Sequence, residues 1–392
     1  MGMKSSITPA AIQEDGPFVG SLESLRGVAA LMVAIAHSLL VLKINQIDEI
    51  WAKQLWEIDT FDAWVVKLML IFANGEAAVT IFFVLSGVVL GLSLDNTKLT
   101  GMRSYLAFLV RRAFRIYPAY IVSILFVLLF LSIGIDNHNG VSIASTFFNW
   151  QYRTPLSLSQ IALNLTLLDS TLNLVSWTIA VEMAVATFFP VLYFISRRWP
   201  GYAVFVVLLA LIVLAVFSAK NYESVLGVLQ YVYLFFIGLL IPRYGQPTFR
   251  LVFGNRIIGY KWLIFATLLF LVESQLLERI QSGFGIGAAL IIFGLLHNHQ
   301  HGGWKILEWH LIRKLGRQSY SFYLWHWPFL FIISWLMFKL VPFQLIEGYS
   351  LAASILLCSI SVSITYWVSA ISYKFIEAPS IRTGKHLVSR FI

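Results

Sequence analysis

The chain has 392 residues, 59% of them hydrophobic and only 12% charged, with a formal net charge of +9. A water-soluble domain carries about a quarter charged residues, so a soluble enzyme is excluded. Apolar runs of about 20 residues, enough to cross a bilayer core, recur along almost the whole sequence. The excess positive charge is distributed between these runs and does not form a nucleic-acid-binding patch.

In chain order, the apolar runs predict spans at 22–42, 66–94, 113–133, 172–196, 202–218, 225–241, 260–274, 284–297, 318–340 and 350–375. Helix is the expected spanning structure, because open strands leave backbone groups unsatisfied in lipid. The fold class is therefore all-α and polytopic, with about ten transmembrane helices around a central polar cavity. Ten spans place both termini on one side. That side holds about three-quarters of the 28 Lys and Arg, and basic loops favour the cytoplasm. Residues 1–20 are read as a cytoplasmic N-terminal tail, 21–376 as one membrane domain and 377–392 as a cytoplasmic C-terminal tail. The first residues lack a signal-peptide h-region. The lone Cys358 excludes a disulfide framework.

Two outer loops are long. Residues 43–65 carry Asp48, Glu49, Glu57, Asp59 and Asp62 among Ile47, Trp51, Leu55 and Ile58, a spacing that predicts an amphipathic interfacial helix. Residues 134–171 are rich in Ser, Asn and Thr and contain Phe147, Phe148, Trp150 and Tyr152. Such aromatics suit either a membrane-interface anchor or a grip on a polyhydroxylated ligand. "NLT" at Asn164 matches a glycosylation sequon. "GFGIGAAL", from Gly283, looks like a dinucleotide motif only in its glycines and reads as helix-packing small residues.

The informative residues are those that lipid should exclude. "SLESLRGVAALMVAIAHSLL" keeps Arg26 and His37 in its first span. Eleven residues apart, they fall about 20° from one another in azimuth and about 16 Å apart along a helix axis. One helix face thus joins the cytoplasmic mouth to mid-membrane depth, and intramembrane ionisable groups are candidates for function. Glu182 in "LVSWTIAVEMAVATFFP", His326 in "SYSFYLWHWPFLF" and Glu76 in "ANGEAAVTIFFVLSG" are placed at similar depths, which suggests a polar chamber. "RSYLAFLVRRAFRIYPAY" sets Arg103, Arg111, Arg112 and Arg115 on the cytoplasmic side. Arg111 and Arg115 are i,i+4 and share a face, and guanidinium groups suit phosphates, although positive-inside anchoring accounts for arginines there equally well. "HNHQH", at His297, His299 and His301, has loop-like spacing with no acid or thiolate nearby, so no metal site is expected.

Read together, these segments resemble the membrane acyltransferase family 3, which O-acylates bacterial surface and secreted carbohydrates. "SLRGVAALMVAIAHS" is similar to its arginine–ten residues–histidine motif at Arg26 and His37. "FFVLSG", Phe82–Gly87, resembles its FFxxSG motif, with Val88 where an aromatic is common. "RRAFRIYPAY" carries its arginine-rich motif at Arg111, Arg112, Arg115 and Pro118. "SWTIAVE" resembles the WSLxxE pattern at Trp177 and Glu182, and "SYSFYLWHWP" and "FIEAPS" match the late-helix and C-terminal patterns.

The resemblance implies an acyltransferase, most often an O-acetyltransferase, in the bacterial inner membrane. Cytoplasmic acyl-CoA is the donor substrate, with no permanently bound cofactor or metal. The acceptor is a carbohydrate hydroxyl on O-antigen, exopolysaccharide, capsule or a lipid-linked sugar. Membrane lipids and a separate extracytoplasmic protein are further partners; nucleic acid is not. Within that scheme His37 is the expected general base, with transient acylation of its ring a second route. Glu182 orients its imidazole. Arg26, Arg111, Arg112, Arg115 and Ser86 bind the donor, and Trp177, Tyr320, His326 and Glu76 line the chamber or meet the acceptor. The rival readings are a proton-coupled transporter using the same midplane residues and an export subunit of a polysaccharide-assembly complex.

Overall fold

A computed structural model describes residues 17–97, 101–218, 225–253, 267–268, 281–298 and 302–391. The helices run α1 (Pro17–Leu39), α2 (Phe61–Phe72), α3 (Gly75–Thr97), α4 (Met102–Ser132), α5 (Thr146–Asn149), α6 (Leu158–Leu165), α7 (Ser176–Arg198) and α8 (Gly201–Ser218). They continue with α9 (Val232–Phe253), α10 (Gln281–Asn298), α11 (His310–Arg317), α12 (Ser319–Leu340), α13 (Phe343–Gly348), α14 (Ser350–Ser372) and α15 (Ala378–Phe391). Among the described residues there are no strands beyond two isolated bridges, and 8 helical stretches are long and apolar enough to cross a membrane. The protein is an all-α polytopic membrane protein. Of the other two expected spans, 284–297 is α10, and 260–274 lies outside the described residues save for 267–268.

The α1 helix is the centre of the assembly, packed by α3, α11, α12 and α14. Pro17 opens it, at the position where a missing N–H costs nothing. Pro118, Pro190 and Pro328 lie inside α4, α7 and α12; neighbouring helices re-satisfy the freed backbone groups in such bundles. Two crossings require glycine. A Cβ on Gly27 of α1 would stand 2.6 Å from the Gly316 amide nitrogen of α11, and one on Gly87 of α3 would collide with the Phe235 carbonyl of α9. Backbone meets backbone at both places, as small residues permit between membrane helices.

Three expectations about local structure change. The run 66–94 breaks between α2 and α3, where the Asn74 carboxamide oxygen accepts the Ala77 N–H at 3.0 Å and caps the second helix. Glu76 is consequently an exposed residue of the first turn of α3, where an acid suits the helix dipole, and not a mid-helix acid. The loop 43–60 is not an amphipathic helix. Asn45, Gln46 and Glu49 adopt positive φ, and only two short 3-10 turns form, at Ile50–Ala52 and Leu55–Glu57. Residues 378–391, read from the sequence as part of a tail, form α15 packed on α4.

Candidate active site

The site has two layers, joined by α1. The lower layer surrounds a cavity lined by Arg26 from α1, Ser86 and Val89 from α3, Arg112, Arg115 and Ile116 from α4, Glu182 from α7 and Tyr320 from α12. Glu182 is held on both oxygens: Ser86 Oγ donates to Oε1 at 2.7 Å, and Arg112 Nη2 donates to Oε2 at 3.0 Å. This pair is largely sheltered, with side-chain exposures of 12% for Arg112 and 15% for Glu182. Tyr320 is fixed by its hydroxyl, which donates to the Ile116 carbonyl at 2.7 Å.

Arg26 and Arg115 differ from Arg112. Neither makes a hydrogen bond to any described residue, whereas Arg112 donates through Nη2 to Glu182; the Nε atoms of both Arg26 and Arg112 are buried without a partner. Arg26 lies within electrostatic range of Arg115, Glu182, Glu377 and Arg112. Glu377, in the single π-turn Tyr373–Glu377 that ends α14, is 3% exposed and accepts from Ser321 Oγ at 2.7 Å. Three guanidiniums and two carboxylates leave the cluster short of negative charge. A multiply charged anion would complete it, and guanidinium geometry suits phosphate.

The upper layer is built on His37, half-buried near the C-terminal end of α1. Its Nδ1 lies 3.1 Å from Nε2 of His326 on α12, and the His326 Nδ1 lies 2.6 Å from the Tyr323 carbonyl oxygen one turn back. The Phe147 and Trp327 rings flank His37 at 5.5 and 5.6 Å between centroids. Phe147 arrives from the outer loop, which is stitched over the end of α1. Ser145 N–H donates to the Val41 carbonyl at 2.9 Å, Lys43 N–H donates to Ile143 at 3.0 Å, and Thr146 Oγ1 donates to the Asp48 carboxylate at 2.7 Å. Burial opposes ionisation of Asp48, yet the Thr146 hydroxyl and amide, the Glu49 N–H and Lys43 hold its carboxyl below the ordinary aspartate value.

The structure thus brings Arg26, Ser86, Arg112, Arg115, Glu182 and Tyr320 together and places His37 with His326. The expected pairing of Glu182 with His37 is replaced: Glu182 serves Arg112 and Ser86, and His326 is the hydrogen-bonding neighbour of His37. Arg111 is not in the cavity wall. Arg112 and Arg115, at i,i+3, present the shared face instead. Trp177 packs on Phe83 and Tyr231 at 6.1 and 5.3 Å, and Glu76 stands apart at the start of α3. Asn164 is fully buried and bonded to Gln160, Asp169, Thr171 and Leu172, so its sequon is a structural feature of the outer loop. The His297, His299 and His301 side chains lie outside the described residues. Sequence reasoning missed Glu377 as a member of the cavity cluster, and it named Phe147 only as one of the outer-loop aromatics without linking it to His37. Glu377 carries a usable signal, a single acid enclosed by Phe375, Ile376, Ala378 and Pro379.

Residues 19–373 match the acyltransferase domain family Acyl_transf_3. Among curated proteins, the O-acetyltransferase OatA of Staphylococcus aureus strains NCTC 8325 and COL is 25% identical over 339 residues, covering 80% of this chain and 53% of the relative. The chain therefore spans about half the length of the curated relatives it matches. No solved structure matches it. With a match across most of its length on an all-α membrane scaffold, the chain belongs to acyltransferase family 3.

Proposed function

We propose that the protein is a membrane O-acyltransferase that moves an acyl group, most simply acetyl, from cytoplasmic acyl-CoA to a hydroxyl of a cell-envelope or lipid-linked carbohydrate. The observation that carries this reading is the common face of α1. It presents Arg26 to an arginine-lined cavity and, about 16 Å further along the axis, His37 to an aromatic-flanked layer. Arg26 and Arg115 would bind the donor phosphates, being the cavity guanidiniums without hydrogen bonds among the described residues. The pantetheine arm suits the rise to His37.

At His37 a neutral imidazole takes the proton of the acceptor hydroxyl as its oxygen forms a bond to the thioester carbonyl carbon. The tetrahedral intermediate collapses with cleavage of the C–S bond. The thiolate then recovers the proton from the imidazolium, leaving an ester and free CoA thiol. Glu182 holds Arg112 and Ser86 in the cavity wall and does not act at the reacting carbon. The relatives' name, O-acetyltransferase, supports the oxygen acceptor and the acetyl group. The orientation of both termini toward the cytoplasm follows from the basic loops and is part of the same proposal.

The test is purified protein in lipid nanodiscs supplied with labelled acetyl-CoA and an envelope glycan. Label in alkali-labile ester linkage to the sugar is the expected result. Label that remains in acetyl-CoA or appears only as free acetate, across glycan classes, overturns the reading.

A further inference from the structure

Resting on His37 as the base, we infer that His326 is a positioning residue that fixes the tautomer of His37 through a two-bond relay ending on a backbone carbonyl. Of the three groups in this relay, the Tyr323 carbonyl can only accept. At 2.6 Å the proton between it and His326 therefore belongs to the His326 Nδ1. With His326 neutral, its Nε2 then carries a lone pair. That lone pair faces Nδ1 of His37 at 3.1 Å, so the proton there belongs to His37. A neutral His37 protonated at Nδ1 has a bare Nε2, and among the described residues no protein group donates to it. The relay therefore leaves a single nitrogen free to accept a proton, and selects the Nδ1–H tautomer, opposite to the Nε2–H form that a free histidine side chain prefers.

The surroundings fit this role. His326 is 2% exposed, one turn beyond Tyr323, whose hydroxyl accepts from Thr178 Oγ1 at 3.1 Å, so the ring sits on an immobilised turn. The His37 and His326 rings meet edge to edge, with centroids 5.3 Å apart and an interplanar angle of 26°, which keeps the hydrogen bond near both ring planes. When His37 becomes imidazolium during transfer, its Nδ1–H still points at the His326 lone pair, and no proton needs to leave the pair. The third-group logic of nucleophile–base–orienter sites is thus met by an imidazole and a peptide carbonyl instead of a carboxylate.

The test combines spectroscopy and kinetics on the full chain in lipid. In protein labelled with 15N at its 8 histidines, with resonances assigned by loss in H37A and H326F, His37 should show a protonated Nδ1 and a bare Nε2. In H326F the His37 ring should move toward the Nε2-protonated form, and kcat should fall about 100-fold, within the range of general-base catalysis. Donor KM should stay within about twofold, since the arginine cavity is a separate layer. H326Q, whose amide oxygen can accept from His37 Nδ1, should recover most of the lost kcat and the native tautomer. A wild-type His37 protonated on Nε2, or an H326F protein with unchanged kcat, overturns the relay. Retained transfer in H37A would instead overturn the base assignment, whatever tautomer the spectrum shows.

Discussion

Charged residues near one another in lipid divide into those that satisfy each other and those that wait for something else. Arg112 belongs to the first kind, because its Nη2 is paired with Glu182, which Ser86 holds on the other oxygen. Removing one partner of a sheltered pair strands the other, at a cost of about 3 kcal/mol. Glu182→Ala should therefore lower thermal stability strongly, whereas Glu182→Gln, whose one carbonyl oxygen still accepts from Arg112 while the Ser86 hydroxyl turns to accept from the new amide N–H, should lower it less. If Glu182 instead oriented His37, Ala and Gln would both cut kcat at unchanged stability, and detergent melting curves beside initial rates separate the two cases. Arg115 belongs to the second kind. Losing one charge-assisted contact to a phosphate costs about 1.5–3 kcal/mol, so Arg115→Ala should raise donor KM about tenfold or more while acceptor KM holds; an unchanged donor KM removes it from the donor site. Much of this layer was legible in the sequence, because an arginine or acid in an apolar run is conspicuous by itself. Which arginine is committed to an acid was not legible: Arg111, Arg112 and Arg115 look alike until α4 is docked on α7.

At the scale of elements, hydropathy locates helices well and joints poorly. The run 66–94 reads as one span, and only the cap at Asn74 divides it and moves Glu76 to a helix start. The acidic and aromatic spacing of 43–65 satisfies a helical pattern, but left-handed residues at Asn45, Gln46 and Glu49 commit the chain to turns that pair with the loop carrying Phe147. The glycine of "FFVLSG" has a reason that a motif alone does not state. Gly87 lets α3 lie directly on the Phe235 carbonyl of α9, next to Ser86 and its bond to Glu182. Gly87→Val should push α3 and α9 apart and cost about 1–3 kcal/mol, the range for overpacking, with a fall in thermal midpoint and a rise in donor KM. Gly348→Ala, where a Cβ meets open space, should change neither. Equal melting curves for wild type and Gly87→Val would show that the crossing is looser than described.

Across the whole molecule, the bundle surrounds α1 with other helices and gives Arg26 and His37, on one face of it, separate sets of polar neighbours. The arithmetic of eleven residues on a helix was readable from the sequence, and α1 is helical over its full length from Pro17 to Leu39. The partners of that face were not, because His37 and His326 are 289 residues apart in sequence and no local pattern links them. The outer loop illustrates the same limit: its aromatics suited membrane anchoring as well as ligand contact, and the structure sets Phe147 against the imidazole while Trp150 stays exposed. In the proposed scheme a donor site at Arg26 and a base at His37, on a single helix, would carry an activated acyl group partway across the membrane without opening a channel. The most direct test is transfer of labelled acetyl from acetyl-CoA to glycan by His37→Ala protein reconstituted in lipid, with folding verified by its melting curve. The account predicts donor binding close to that of wild type and ester formation reduced at least about 100-fold, the lower end of general-base catalysis; ester formation at the wild-type rate would contradict it.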